Sequence, residues 1–120
     1  MFNKIKKILY LVILFCFVYS LIGAEIPYKE IALKIYKIPY DKHIYNCLNK
    51  SILFCEFLKS KNIEAKIIIG RVRNEKFYRR SWIEYKKDNK WYIIDLIDNP
   101  KTWGYERKYY WWLKSIREYK

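Results

Sequence analysis

The sequence predicts an α+β domain: a buried central helix packed on an antiparallel sheet, with a further helix at the C-terminus. Three observations predict it. Residues 47–59 carry apolar side chains at helical spacing around more than half of the helix surface. Residues 65–96 hold three segments that are β-branched or alternating, with turn residues between them. Residues 105–119 place Tyr109, Trp112, Leu113 and Ile116 at three- and four-residue intervals among basic side chains, the spacing of one helix face.

The first 24 residues stand apart from this domain. Residues 1–7 contain three lysines and no acid, residues 8–22 are apolar apart from Tyr10, Tyr19 and Ser20, and Gly23 and Ala24 precede Glu25. That is the layout of a secretory signal peptide or, if uncleaved, of an N-terminal membrane anchor. The apolar run is shorter than the roughly 20 residues a spanning helix needs. Export is therefore the expectation: periplasmic, secreted or anchored by residues 1–24. Residues 25–120 then form a single domain with one modest core.

Within the domain, Pro27 and Pro39 bracket a short amphipathic helix in which Ile31, Ile35 and Ile38 share one face. Residues 39–46 connect it to the central helix. Asn46 is a favoured N-cap. Leu48, Ile52 and Cys55 then form one stripe with Phe54 and Leu58 beside it, and Asn62 stands where a helix prefers to end. The strands follow at 65–72, 77–86 and 91–96. In the second, Arg80, Trp82 and Glu84 fall on one face and Ser81, Ile83 and Tyr85 on the other. A loop of four residues, 87–90, joins the last two as a hairpin. Trp82 and Trp91 are expected in the core, and Glu84 in a structural role.

The chain has 25 Lys and Arg against 12 Asp and Glu. Such a balance suits an anionic membrane surface or an acidic glycan, and export removes nucleic acid from the partners. Lysine is abundant throughout, so a general lysine bias supplies much of this charge. The basic, aromatic tail is expected to pack its apolar face on the sheet. Its composition is also that of a helix lying along an anionic membrane, or of a surface that stacks on sugar rings.

The chemistry-bearing residues are thiols and carboxylates. Cys47 and Cys55 share a helix about 12 Å apart along its axis, beyond the ~7 Å between Cα atoms that a disulfide allows. They cannot pair with each other. Cys55 occupies an ordinary apolar site. Cys47 opens the helix, where the dipole favours a thiolate. Thiol catalysis also needs a base and a group to orient it. Asp95 ends a strand and can orient. The strand between them offers arginine. One histidine, His43, lies four residues before Cys47. Outside the leader, one histidine and two distant thiols are too few for a metal site, and no phosphate-binding loop is visible. No cofactor is expected.

These residues fall in a familiar order. The stretch "CLNKSILFCEFLKSKNIEAK" (47–66), then "RSWIE" (80–84), then "DNKWYIID" (88–95) resembles the core of the transglutaminase-like domain, a branch of the papain-like thiol-enzyme superfamily. In that family a cysteine opens a helix, a small residue follows four positions on, and "Leu-Phe" and "G-I-P-A-R" lead into a strand. Cys47, Ser51, Leu53, Phe54, Ile63 and Ala65 match, with Lys66 for the arginine, Asn62 for the glycine and Glu64 for the proline. The family's "H-A-W-V-E" is matched by residues 80–84 and its "W-x-x-x-D" by residues 91–95. The resemblance covers residues 47–95.

By this resemblance Cys47 stands at the nucleophile, Asp95 at the orienting carboxylate and Arg80 at the histidine. Arginine keeps its proton at any accessible pH and cannot act as a base. It can lower the thiol pKa by its charge, and it can pair with Asp95 in place of the histidine. The resemblance thus implies a degenerate thiol-enzyme fold that binds a peptide or cell-envelope component. A working cysteine peptidase or acyl-transferase, with His43 as replacement base, is the alternative, and a membrane-surface module is a third.

Overall fold

The computed structural model describes residues 2–21, 25–41, 46–75 and 79–120. Three helices and a five-stranded antiparallel sheet make an α+β architecture. The helices are α1 (Phe2–Leu21), α2 (Lys29–Lys37) and α3 (Cys47–Ser60). The strands are β1 (Ala65–Val72), β2 (Arg80–Lys87), β3 (Lys90–Ile94), β4 (Tyr105–Glu106) and β5 (Leu113–Tyr119), in the spatial order β4-β3-β2-β1-β5. In α1 the described side chains, 3–14, are all exposed. Among the described residues no helix is long and apolar enough to cross a membrane.

The ends of α3 follow from two asparagines. Asn46 Oδ1 accepts the amide of Asn49 at 2.9 Å and so caps the first turn. Asn62 takes a left-handed conformation, with φ 61°. Its amide bonds to the Lys59 carbonyl and that of Ile63 to the Leu58 carbonyl, closing the helix in a Schellman motif. The β2–β3 hairpin is tighter than the predicted four-residue loop. Lys87 pairs with Lys90, leaving only Asp88 and Asn89 in the turn, both with positive φ. Two such residues make the primed turn that matches strand twist.

The sheet has a core on each face. On one, α2 and α3 cover Ile67, Ile83, Tyr85 and Ile94 with Ala32, Ile35, Phe54, Cys55 and Leu58. On the other, Ile68, Trp82 and Ile93 are covered by Tyr110 and Leu113. Residues 81–85 are consequently buried throughout, so both faces predicted for this strand lie inside. Burying each large apolar side chain contributes about 1.5–3 kcal/mol. Trp82 and Cys55 are core residues as expected, whereas Trp91 is half-buried with Lys66 Nζ 4.1 Å from its ring centroid.

The predicted C-terminal helix does not form. Residues 105–119 instead give β4, a 3-10 turn at Arg107–Tyr109, and β5. The helical spacing of Tyr109, Trp112, Leu113 and Ile116 is overridden by tertiary demand. β1 has a second edge whose amides and carbonyls need partners, and β5 supplies them antiparallel. The apolar face of Trp82 and Ile93 needs a cover, and Leu113 and Tyr110 provide it, while Tyr109 and Ile116 stay exposed. The Tyr110 hydroxyl donates to the carbonyls of Ile93 and Thr102, which locks the segment down.

Gly70 marks where these layers meet. The β1–β5 register slips between Ile69 and Gly70. A Cβ on Gly70 would lie 2.2 Å from Trp82 Cη2 and 2.4 Å from the Lys114 carbonyl oxygen. Only glycine lets the indole and the β5 backbone approach together.

Candidate functional site

Cys47 occupies the first turn of α3, half-buried, as a free thiol. Cys55, two turns on, is buried and also free, and burial pushes its thiol pKa up. The next turn after Cys47 on the same face is Ser51. Its hydroxyl lies 3.4 Å from that of Ser81, and both residues are buried. The start of α3 is thus pressed against the Ser81 face of β2, one residue along the strand from Arg80.

Arg80 opens β2 on the Trp82–Glu84 side. Its Nη1 lies 3.3 Å from Asp95 Oδ2 and 3.7 Å from Asp98 Oδ2. Asp95 directly follows β3 and is only 4% exposed. Its Oδ1 accepts the Ile97 amide at 3.3 Å, and its carbonyl oxygen accepts Trp103 Nε1 at 2.6 Å. The carboxylate is therefore fixed from both ends of its residue. Burial pushes the Asp95 carboxyl up to about 6, against the opposing pull of the Arg80 guanidinium and the Ile97 amide.

Of the residues picked out from the sequence, Arg80 and Asp95 are in contact. Cys47 is held on the helix that packs against Arg80's strand. His43 lies outside the described residues. Among the described residues no group of three or more His, Cys, Asp or Glu could hold a metal ion.

Two members of the site were not anticipated. Asp98 is a second carboxylate for Arg80, and its signal was its place three residues after Asp95. Lys50 is 3% exposed and donates to the carbonyls of Tyr36 at 3.2 Å and Ile38 at 2.7 Å. Burial lowers its pKa. It ties the C-terminal end of α2 to the first turns of α3, so it steadies the helix end that carries Cys47. Its signal was a lysine on the buried side of a core helix. Glu84 is fully buried, accepts Trp82 Nε1 at 3.2 Å, and lies 3.7 Å from Arg107 Nη1. It has the structural role expected of it, under the C-terminal segment.

The arrangement can hold a charge but cannot relay a proton through Arg80. The guanidinium is a permanent cation, and the titrating member of its pair is Asp95. No family model, no curated protein and no solved structure matches the chain.

Proposed function

We propose that this chain is an exported thiol-enzyme fold of the transglutaminase-like type that has lost turnover and binds a peptide or cell-envelope component. The single observation that carries the proposal is the 3.3 Å contact between Arg80 and the buried Asp95. In the family it resembles, those two positions hold the base and its orienting carboxylate. Support also comes from α3, which opens with Cys47 and packs on the strand that Arg80 begins. Residues 1–24 direct export in this proposal. That role is supported by α1, none of whose described side chains joins either core.

Proton transfer by a positioned base contributes typically ~10²–10⁴ in rate. An ion pair that cannot give or take that proton forfeits it. The test is a screen of amide and acyl substrates with the wild type and Cys47→Ala in parallel. Identical background rates are the expected result. Turnover that disappears in Cys47→Ala would make the protein a working thiol enzyme and overturn the proposal.

A further inference from the structure

The face of the sheet opposite α3 carries a second feature, a cleft of about 660 Å³. Its floor is aromatic and apolar: Trp82, Ile93, Tyr110 and Leu113. Among the described residues four cations line it, Arg73, Arg107, Lys108 and Lys114, and no acidic residue does. Two of the four are engaged with carboxylates. Arg107 Nη1 lies 3.7 Å from Glu84 Oε1 beneath the floor, and Lys108 Nζ lies 3.4 Å from Glu106 Oε2. Arg107 Nη2 also donates to Ser115 Oγ at 2.8 Å, which fixes its guanidinium in place. Among the described residues no carboxylate oxygen lies within 4 Å of the Arg73 or Lys114 side-chain nitrogens. Both residues line the cleft without a carboxylate partner. Trp111 completes the wall. It is 73% exposed and stands edge-on to Trp112, with ring centroids 5.8 Å apart, so a face of the indole is open.

We infer that this cleft binds an anionic sugar, with its phosphate or carboxylate between Arg73, Arg107 and Lys114 and its ring against Trp111. The size suits a small ligand, since such sites run to roughly 300–1,000 Å³. Two unpaired cations beside a fixed guanidinium suit one concentrated negative group. One open indole suits one ring, whereas a nucleic-acid strand is held by successive stacking aromatics. The cleft specifies the chemistry of the cell-envelope partner proposed above, and only its biological setting rests on that proposal. The site itself does not involve Cys47.

The full-length protein, kept in a zwitterionic, sugar-free detergent, is titrated by tryptophan fluorescence. The probes are glucose 6-phosphate, digalacturonate, glucose and inorganic phosphate. Both anionic sugars are expected to give a saturable change that weakens with salt and is abolished in Trp111→Phe. Glucose and phosphate alone should bind roughly tenfold or more weakly, as should both anionic sugars to Arg73→Gln and Lys114→Gln. Circular dichroism confirms that these surface variants fold. Cys47→Ala should bind like the wild type, which separates failure of this inference from failure of the thiol proposal. Equal response to glucose, phosphate binding as tight as glucose 6-phosphate, or no saturable response to either anionic sugar would overturn it. So would binding to anionic vesicles that Arg73→Gln and Lys114→Gln weaken when neither anionic sugar competes.

Discussion

Asp95→Asn separates the two forces acting on the Arg80–Asp95 pair. Burial favours the neutral carboxyl and Arg80 favours the charged one, and the balance leaves the folded-state pKa at about 6 against an ordinary 3.8. A gap of roughly two pH units, at 1.36 kcal/mol per unit, is worth about 3 kcal/mol. Because the folded value is raised, the associated stability is fully present below pH 4 and is lost as pH rises through 6. Asparagine has nearly the same shape and does not titrate. Other carboxylates also respond to pH, so the quantity to measure is the difference between wild type and variant. Urea unfolding followed by tryptophan fluorescence, at intervals from pH 4 to pH 8, gives it. The wild type should lose about 3 kcal/mol relative to Asp95→Asn across that range, with the change centred between pH 4 and 6. A difference that does not vary with pH, or one that favours the wild type as pH rises, would refute the reasoning. Arg80 would then match or outweigh burial.

Arg80→Met removes the cation and leaves Asp95 buried without it; because a carboxyl at about 6 can take up a proton instead, the cost should be about 1–3 kcal/mol between pH 7 and pH 8 and fall on acidification, as urea unfolding at pH 5 and pH 8 would show. Gly70→Ala drives a methyl into Trp82 and the Lys114 carbonyl and should destabilise by about 1–3 kcal/mol or more; a loss below about 0.5 kcal/mol, within the range of surface changes, would mean the strands part freely. Lys50→Met leaves the Tyr36 and Ile38 carbonyls without their donor and should cost about 1–3 kcal/mol in the same assay. Iodoacetamide should label Cys47 in the folded protein and Cys55 only on global unfolding, because Cys55 is 1% exposed; equal labelling rates in native buffer would contradict the packing of α3.

The parts legible in the sequence are those where local and tertiary preferences agree. α3 has a capping asparagine at one end, an asparagine able to turn left-handed at the other, and apolar spacing between them. β1 carries four β-branched residues, Ile67, Ile68, Ile69 and Val72, and begins and ends where expected. The β2–β3 hairpin was visible from Asp88 and Asn89, although its tightness was not. The tail was illegible because its aromatic residues satisfy a helical period while their rings and branches also suit a strand. What decided between them was the unfilled edge of β1, a demand set by residues some 40 positions away. The run of three isoleucines in β1 carried the clue, since a strand apolar on both faces sits inside a sheet and needs a neighbour on each side. At the site, the approach of Arg80 to Asp95 followed from matching both to one family pattern. The roles of Lys50 and Asp98 did not, because each depends on where a loop or a helix end comes to rest.

Arginine at position 80 changes what the site can respond to. A histidine–carboxylate pair titrates at the histidine, so its charge can follow a reaction through gain and loss of a proton. Here the cation is permanent and the titrating group is the carboxylate, near pH 6. Protonating Asp95 leaves Arg80 with Asp98, 3.7 Å away and more exposed. The same acidification leaves the Ile97 amide on an oxygen that no longer carries full charge. Both changes bear on residues 95–98, the connection that holds Trp103 against the α2 side of the domain through the Asp95 carbonyl. Arg80 itself neither gives nor takes a substrate proton. If turnover is lost as proposed, the search for the partner belongs on the protein's surface rather than at the thiol.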